Sequence, residues 1–409
     1  FTPVLIERGE KVEDRRKSVA KMIRENQVNE SSNYCYGEGG AGAFSDGKLF
    51  TRSKKRGNIY EVLSLFVQMG APSSILTDSH PHLGTDKLPS IIKNIRNTIL
   101  DHGGEIYYNT RMSDLIIKND EIIGLKTEND DSFYGPVILA AGHSCKDVYQ
   151  LLYEKNIPLE AKSIAIGVRV EHKQSFIDQV QYKSKNGRGK YLPPAEYRLV
   201  SNVNSRGVFS FCMCPGGFVV PSQTEREHCL VNGMSPSTRG GKWANSAIVT
   251  EVRVEDLKDD NNPLAMLNFQ HDIEKRTYDL VQSGIAAPAQ RLQDFVNKVE
   301  SKDLPQSSYL GPLVSKDLNL IFPKEIGKCL RGGFISFNNK IPGFVNNDAI
   351  VIASETRTSS PVRIVRDKET LMSKKGLFPC GEGAGYAGGI VSSALDGINC
   401  ALAAIRYIS

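Results

Sequence analysis

The stretch "TPVLIERGEKVEDRRK", residues 2–17, decides how the rest of this 409-residue sequence is interpreted. A short apolar run at 4–6 ends at Glu7 and is followed by a turn at Gly9. A buried strand with a carboxylate at its tip is typical of the second strand of a Rossmann unit, where the carboxylate accepts hydrogen bonds from the ribose hydroxyls. Taken alone, a strand that ends in Glu is more often only structural, so this interpretation depends on the rest of the chain.

The phosphate-binding glycines of such a unit lie about 20 residues before the acidic residue. Here they would precede Phe1, which is not a Met. We therefore expect the sequence to begin inside a longer fold. The alternative is that a targeting segment preceded residue 1 and was removed.

Composition and charge are those of an ordinary globular protein. Hydrophobic residues make up 40% and charged residues 24% of the chain. The length predicts two domains, since single cores stop growing at roughly 250–300 residues. The net charge of +5 is too small to indicate nucleic-acid binding. We interpret the basic runs Arg15-Arg16-Lys17 and Lys54-Lys55-Arg56 as solvated faces.

Cysteine usage and hydropathy bear on the compartment. Eight cysteines are scattered along the chain without the dense spacing of a disulfide framework. This pattern predicts reduced thiols and a cytoplasmic protein. No apolar run approaches the roughly 20 residues of a membrane span, so we expect no membrane association.

A glycine-rich segment, "YCYGEGGAGAFSDGKLFTR" (34–52), contains a formal G-x-G-x-x-G. Its glycines are Gly37, Gly39 and Gly42, but turn residues at 45–47 leave no helical pattern after them. The density of glycines predicts a backbone that a ligand approaches closely. The alternative is a mobile surface loop, which the apolar residues within the segment disfavour.

The next segments follow an α/β order. Isoleucines recur at helical spacing in "LPSIIKNIRNTIL" (88–100). Residues 105–135 then predict three or four short strands with polar turns, and "PVILAAGHS" (136–144) predicts a buried strand that ends in small residues.

The pattern changes between about 150 and 345. Strands are predicted in "SIAIGVRVEH" (163–172) and "GVFSFCMCPGGFVV" (207–220), and a helical region is predicted at 263–300. Strand-like alternation returns at 341–365.

A second glycine-rich segment, "FPCGEGAGYAGGI" (378–390), lies near the end of the sequence. Apolar residues recur at helical spacing from Ile390 onward, which places Gly388 and Gly389 at a helix N-terminus. Free N–H groups and the positive end of the helix dipole would face a ligand there. The alternative is a tight turn that packs without a ligand.

Several quoted segments together resemble the FAD-dependent oxidoreductases of the glutathione-reductase-like superfamily. More narrowly, the chain resembles a bacterial group of uncharacterised FAD-dependent dehydrogenases. The resemblance spans nearly the whole chain and is carried by "VLIERG" (4–9), "GEGGAGAFSDGKL" (37–49), "HLGTDKL" (82–88), "ILAAGHS" (138–144), "FSFCMCPGG" (209–217), "NGMSPSTR" (232–239), "ETRTSSPVRI" (355–364) and "GEGAGYAGGIVSSALDGI" (381–398).

The resemblance implies an α/β fold: a split Rossmann-like FAD-binding domain with a β-meander, and an inserted α+β substrate (cap) domain. Residues 1–150 and 346–409 would form the FAD-binding domain, and residues 151–345 the cap domain. The first strand and its G-x-G-x-x-G loop are absent from the sequence, so the chain is expected to be N-terminally truncated.

The resemblance also implies the residues that bind FAD. Glu7 would accept the ribose hydroxyls, Glu382 would bind a ribityl hydroxyl, and the glycines before Ile390 would face the pyrimidine edge of the flavin. The full set of implied cofactor residues is Glu7, Arg8, Gly40, Ala41, Gly42, Ser45, Asp46, Gly47, Lys48, Arg111, Met112, Ala141, Gly142, Gly381, Glu382, Gly388, Gly389 and Ile390.

Catalytic residues are harder to assign. Cys212 and Cys214 could be a redox pair, and strand alternation would point both to one face, but buried core thiols are the commoner case. A lone C-x-C lacks the second ligand pair of a zinc site, so no metal is expected. Arg357 and Arg363 could clamp an anionic substrate. The histidines His80, His82 and His143 are candidate proton carriers, although structural histidines are commoner.

The sequence therefore predicts an FAD-dependent oxidoreductase that transfers a hydride between FAD and an unidentified small-molecule substrate. NAD(P)H is a candidate electron donor. The alternatives are a flavin-binding regulatory or partner-binding protein without turnover, and a flavin-dependent monooxygenase or halogenase.

Overall fold

The computed structural model describes residues 1–51 and 57–409, so the basic run Lys54-Lys55-Arg56 lies outside the described residues. Short strands alternate with longer helices in the first part of the chain. These elements are β1 (Val4–Ile6), α1 (Val12–Glu25), α2 (Ile59–Gln68), α3 (Leu88–Asp101), β2 (Glu105–Tyr107), β3 (Met112–Lys118), β4 (Glu121–Thr127), β5 (Ser132–Tyr134), β6 (Val137–Leu139) and α4 (Lys146–Glu154).

Longer strands dominate the middle of the chain. Its elements are β7 (Leu159–Ala161), β8 (Ile164–Lys173), α5 (Gln174–Gln181), β9 (Val200–Val203), β10 (Arg206–Pro221), β11 (Val231–Met234), β12 (Trp243–Val252), α6 (Ala265–Asp279), β13 (Ala287–Arg291), α7 (Leu292–Asn297), β14 (Leu313–Ser315), α8 (Lys324–Lys340) and β15 (Ile350–Glu355). The last elements are β16 (Val362–Ile364), β17 (Leu377–Pro379) and α9 (Ile390–Ile408).

An eight-stranded sheet forms the largest layer. Its strands lie in the order β11-β10-β12-β8-β15-β13-β14, and β9 pairs with the start of β10. Pairing is antiparallel apart from β13 with β14. Strand β8 is buried from Ile164 to His172, so that Arg169, Glu171 and His172 are buried along with its apolar residues. The strands predicted at 163–172 and 207–220 are confirmed as β8 and β10.

Aromatic side chains fill the core beneath this sheet. Phe295, Phe334, Phe337 and Phe344 are all fully buried. Each such side chain contributes about 1.5–3 kcal/mol relative to an exposed position. This packing fixes α7 and α8 against the sheet and so holds β10 and β15, which carry residues of the candidate site.

Smaller sheets join distant parts of the chain. Strand β1 pairs in parallel with β2, and β6 pairs in parallel with β17. Strands β3, β4 and β5 form an antiparallel meander, and β7 pairs with β16. The β6–β17 pair brings the C-terminal glycine-rich segment beside "ILAAGHS" (138–144). The predicted helices at 88–100 and after Ile390 are confirmed as α3 and α9.

The basic run at Arg15 is not a solvated face. Arg15 is fully buried, and its guanidinium donates to the carbonyls of Asn33 (2.8 Å), Gly37 (3.3 Å) and Glu38 (2.9 Å). Arg16, the next residue, is exposed. Adjacent basic residues on this helix therefore lie on different faces, one buried and one exposed. The prediction had treated the whole run as exposed.

Two other expectations are corrected by tertiary pairing. The strand at Val4 is not buried, since Val4 and Leu5 are each 44% exposed; among the described residues β1 pairs with β2 alone. The region 263–300 is not helical throughout, because β13 interrupts it and pairs with β15 and β14. Among the described residues, none of the helices combines the length and apolar character needed to cross a membrane.

Candidate functional site

The first glycine-rich segment folds as a turn. Residues Gly40–Phe44 form a short 3-10 helix. Gly39 and Gly40 have left-handed φ angles of 84° and 58°, which glycine adopts without strain. A Cβ at Gly40 would meet no atom within 4 Å, whereas a Cβ at Gly42 would lie 3.4 Å from the Ile390 side chain. The turn therefore packs against the start of α9 and leaves Gly40 beside open space.

The second glycine-rich segment lies beside "ILAAGHS" and leads into α9. A Cβ at Gly383 would lie 2.3 Å from the Gly142 carbonyl oxygen, so these two backbones are in close contact. Gly388 and Gly389 directly precede α9. A Cβ on Gly142, Gly388 or Gly389 would meet no atom within 4 Å. Close packing therefore explains Gly383 but not the other three glycines.

We call Gly40, Gly142, Gly388 and Gly389 the glycine cradle. The contacts of Gly42 with Ile390 and of Gly383 with Gly142 link its three chain segments. The cradle lies at the N-terminus of a 19-residue helix, where the dipole is positive and the first N–H groups lack intrahelical carbonyl partners. The Gly388 N–H donates to Ser392 Oγ at 3.1 Å. Such a surface accepts an anionic or carbonyl-bearing ligand against bare backbone.

The carboxylate of Glu7 is partly used by the protein itself. Its Oε1 accepts hydrogen bonds from the backbone N–H groups of Gly9 (2.9 Å) and Gly37 (3.1 Å). Within the part of the chain that the structure describes, no group donates to Oε2. One carboxylate oxygen thus remains for the predicted contact with ribose.

Three charged side chains cluster near Glu7. Arg8 and Arg111 both pair with Asp147, at 3.1 Å and 2.7 Å. The Arg8 guanidinium also lies 4.0 Å from the centre of the Tyr36 ring. Sequence reasoning predicted both arginines but missed Asp147, whose position in the first turn of α4 was the available signal.

A small, partly open cavity of about 60 Å³ lies between the first glycine-rich segment and the large sheet. This volume accommodates roughly two water molecules or a group of a few atoms. The lining includes five residues from the predicted cofactor and catalytic sets, together with Glu355 and others that were not predicted. The five are Ala41, Ser45, His143, Cys212 and Arg357.

A buried ion pair supports one wall of the cavity. The Arg169 guanidinium donates to both carboxylate oxygens of Glu355 at 2.9 Å, and it also donates to Asn245 (2.7 Å) and Asn232 (3.2 Å). A Cβ at Gly233 would lie 2.2 Å from Arg169 Nη1, so this glycine is needed to admit the guanidinium. Sequence reasoning missed the pair because its members are 186 residues apart.

A second buried ion pair holds Arg357 in place. Its guanidinium donates to Glu274 at 2.9 and 2.8 Å and to Thr224 at 2.8 Å. Although burial raises it, the pKa of Glu274 is lowered to about 2 by Arg357. The charge of Arg357 is therefore already compensated inside the protein.

We expect the Glu274–Arg357 pair to stabilise the fold above pH 4.5, the ordinary pKa of Glu274, and to lose this contribution as the pH falls toward 2. The sign follows because the folded state binds the proton more weakly than the unfolded state does. The loss is on the order of 3 kcal/mol. Urea unfolding between pH 7 and 3 should show the wild-type protein losing more stability than a Glu274→Gln/Arg357→Met variant.

The matched control is the exposed Lys275–Asp279 pair on the same helix, whose side chains are 43% and 48% exposed. Its removal should leave the pH dependence almost unchanged. If the Glu274→Gln/Arg357→Met variant lost as much stability between pH 7 and 3 as the wild-type protein does, the Glu274–Arg357 pair would not be the source of the pH dependence.

Lys48 and Asp46 connect the first glycine-rich segment to the large sheet. Asp46 is buried and pairs with Arg239 (2.5 Å) and Lys48 (3.4 Å). The Lys48 ammonium also donates to the carbonyl of Met213. The predicted flavin-side segment is thus bound to the strand that carries the C-x-C.

The two cysteines of the C-x-C differ in their surroundings. Cys212 has a left-handed φ of 46°, and the pairing of β10 with β12 shifts register between Phe211 and Cys214. Cys212 lines the cavity and is half-buried, whereas Cys214 is fully buried. The bulge interrupts the alternation on which the expectation of a shared face rested, but the Cys214 thiol still lies against Cys212, since it donates to the Cys212 carbonyl at 3.2 Å.

His143 is the predicted histidine that reaches the cavity. Burial lowers the pKa of its imidazole, with nearby Glu382 acting in the opposite direction. His80 lies beside Phe50, and His82 contacts the carbonyl of Ser237 at 3.2 Å. Neither His80 nor His82 lines the cavity.

Arg363 lies apart from Arg357. It is 44% exposed in its side chain and pairs with Glu160 at 3.5 Å. The cavity lining includes Arg357 but not Arg363. The two arginines therefore do not line the same cavity, and their role as a clamp stays a prediction.

Some predicted cofactor residues have packing or hydrogen-bonding roles in the structure. A Cβ at Gly47 would lie 2.9 Å from the Gly84 nitrogen. The Gly381 N–H donates to Asp396 at 2.7 Å. Met112 and Ala141 pack against a hydrophobic core. Direct contact with a ligand stays a prediction for these four residues.

Comparison with known proteins finds an FAD-dependent domain family and a similar bacterial protein. Residues 163–358 match the family described as FAD-dependent protein, C-terminal domain-like. An uncharacterised protein from Clostridium beijerinckii is 40% identical over 406 residues, which cover 98% of this chain and 76% of that protein. The chain belongs to the same family as this clostridial protein.

Solved structures share only a distant likeness with this family member. An oxidoreductase from Methanosarcina mazei is 14% identical, with a TM-score of 0.32. The match covers 78% of this chain and 54% of that chain, so this chain spans about half the length of that protein. The halogenase PltM is 11% identical over all of this chain and 69% of its own, at a TM-score of 0.40. The amino acid oxidase NikD is 9% identical over 78% and 57% of the two chains, at a TM-score of 0.32.

Proposed function

We propose that this protein is an FAD-dependent oxidoreductase that transfers a hydride between FAD and a small-molecule substrate. The observation that carries the proposal is the glycine cradle, where four glycines from three segments present bare backbone to open space at a helix N-terminus. A long anionic cofactor needs such close approach, and the domain family of residues 163–358 is FAD-dependent.

The residues present fit FAD in their chemistry. Glu7 Oε2 is free to accept a ribose hydroxyl. Arg8 Nε and Asp46 Oδ1 are buried without a hydrogen-bond partner among the described residues, and a bound ligand would satisfy such atoms. FAD, when bound, supplies reversible two-electron chemistry. The chain would contribute the positive helix terminus at Gly389 and a small cavity for the reacting group.

The arrangement of sheets supports the proposed division of labour. The parallel pairs β1–β2 and β6–β17, with the meander β3–β5, are the parts expected of a split Rossmann-like FAD-binding domain. The large sheet would act as the cap over the flavin. We also propose that the protein is cytoplasmic, which the cysteines support because all eight are unpaired thiols.

Anaerobic stopped-flow mixing tests the proposed activity. After the protein is loaded with FAD, NADH and NADPH are mixed with it separately, and the absorbance near about 450 nm is followed. Rapid bleaching by either donor supports an oxidoreductase that accepts NAD(P)H. Bound flavin that resists both donors and a panel of small oxidisable substrates would favour a flavin-binding module without turnover. Oxygen uptake coupled to a modified product would favour a monooxygenase.

A further inference from the structure

We propose that Cys212 and Cys214 form a redox-active dithiol, in which Cys212 attacks a small disulfide and Cys214 resolves the product. The exchange itself needs only the two thiols and the disulfide. The proposal rests on the proposed function in one respect, because an oxidoreductase would have to return two electrons and two protons to the oxidised pair during turnover.

The positions of the two thiols suit these unequal roles. Cys212 lines the cavity, where a small reagent can reach it, and Cys214 is fully buried behind it. The Cys214 thiol donates to the Cys212 carbonyl at 3.2 Å. The bulge and the left-handed φ of Cys212 take this residue out of the regular strand pattern. A cysteine with only a structural role in a regular strand would need neither the bulge nor the left-handed φ.

Two cations converge on this short segment. Arg169 Nη1 donates to the Cys212 carbonyl at 3.4 Å, and the Lys48 ammonium donates to the carbonyl of Met213. Hydrogen bonding from the Cys214 thiol, helped by Lys48 and Arg169, holds the pKa of the Cys212 thiol below its ordinary value against the effect of burial. A lowered thiol pKa increases the fraction of the nucleophilic thiolate at neutral pH.

The exchange balances without another reactant. The Cys212 thiolate attacks one sulfur of a disulfide RSSR, forming a protein–SR bond and releasing RS⁻. The Cys214 thiolate then attacks Sγ of Cys212 and releases the second RS⁻. The two protons lost by the protein thiols go to the two released thiolates. The protein pair is oxidised to a disulfide, and RSSR is reduced to two RSH.

Two other sets of thiols serve as internal comparisons. Cys35 also lines the cavity, but its Sγ contacts Ser222 (3.9 Å to the carbonyl oxygen) rather than a second thiol. Cys380 and Cys400 are adjacent to each other, but both are buried and lie beside the Arg366–Asp396 ion pair. Neither set combines a cavity-facing thiol with a buried partner.

Methyl methanethiosulfonate tests the proposal because it transfers a methylthio group small enough for the cavity. The native protein without FAD is treated briefly at neutral pH and digested with trypsin, and the peptide 207–226, which holds Cys212 and Cys214, is weighed. The wild-type peptide should become about 2 Da lighter, as an internal disulfide. In Cys214→Ser the peptide should become about 46 Da heavier, as a trapped methylthio adduct. In Cys212→Ser it should stay unmodified.

Controls keep this result separate from the proposed function. Cys35→Ser and Cys380→Ser/Cys400→Ser should both retain the lighter wild-type peptide. Lys48→Met should slow formation of the internal disulfide by about tenfold at neutral pH, with less slowing at alkaline pH. A wild-type peptide that stays unmodified or carries two methylthio groups would overturn the proposal, even if the variants failed to fold. Because no FAD is present, a failure of FAD binding would leave this outcome unchanged.

Discussion

Replacing Arg169 with Met is expected to lower the free energy of unfolding by about 3–5 kcal/mol. Arg169 is fully buried, and its guanidinium is the bidentate partner of Glu355. Without it, Glu355 would lie uncompensated in a region where burial already raises the pKa of its carboxyl. Urea unfolding at neutral pH measures the loss.

Lys173, on the same strand, provides the matched control. Its pairing with Asp348 is exposed, with side-chain exposures of 57% and 73%, so Lys173→Met should change stability by less than about 1 kcal/mol. The double variant Arg169→Met/Glu355→Met should recover part of the loss, since it removes the orphaned charge together with its partner. Equal stability of Arg169→Met and Lys173→Met would show that the buried pair does not support the cavity wall.

Gly388→Val is expected to weaken FAD binding by about 100-fold while leaving the protein folded. The φ of Gly388 lies outside the left-handed region, and a Cβ there would meet no protein atom within 4 Å. The Cβ of the new side chain would therefore find open space in the free protein, and the valine would occupy the space that the cradle leaves for the cofactor. The melting temperature without FAD and an FAD titration measure the two effects separately.

Gly397→Ala is the matched control for this variant. Gly397 lies within α9, and a Cβ there also meets no atom within 4 Å. Alanine in a helix interior should stabilise the protein slightly and leave FAD affinity unchanged. If Gly388→Val bound FAD as tightly as Gly397→Ala does, the cradle would not be the cofactor site.

The sequence was most informative about local structure. Gly40 and Gly142 were named through the family resemblance, but Gly388 and Gly389 were placed at a helix N-terminus from the residues that follow them, and the structure has them there. The helix after Ile390 was predicted from apolar spacing alone. These features depend on neighbouring residues, which a single sequence displays directly.

Pairings between distant residues could not be predicted. Arg169 with Glu355 and Arg357 with Glu274 are joined by the topology of the large sheet and its helices, and no local pattern announces either pair. Arg15 appeared to be a surface charge for the same reason, since its carbonyl partners belong to another segment. The C-x-C was noticed, but its bulge depends on pairing with β12.

The central claim is that the glycine cradle holds FAD, and an equilibrium titration tests it most directly. FAD is titrated into the wild-type, Gly388→Val and Gly397→Ala proteins, and binding is followed through the flavin fluorescence. The account predicts saturable binding at one FAD per chain for the wild-type protein and Gly397→Ala, and binding weakened by about 100-fold for Gly388→Val. No saturable binding to the wild-type protein at FAD concentrations up to about 1 mM, or equal binding by all three proteins, would contradict it.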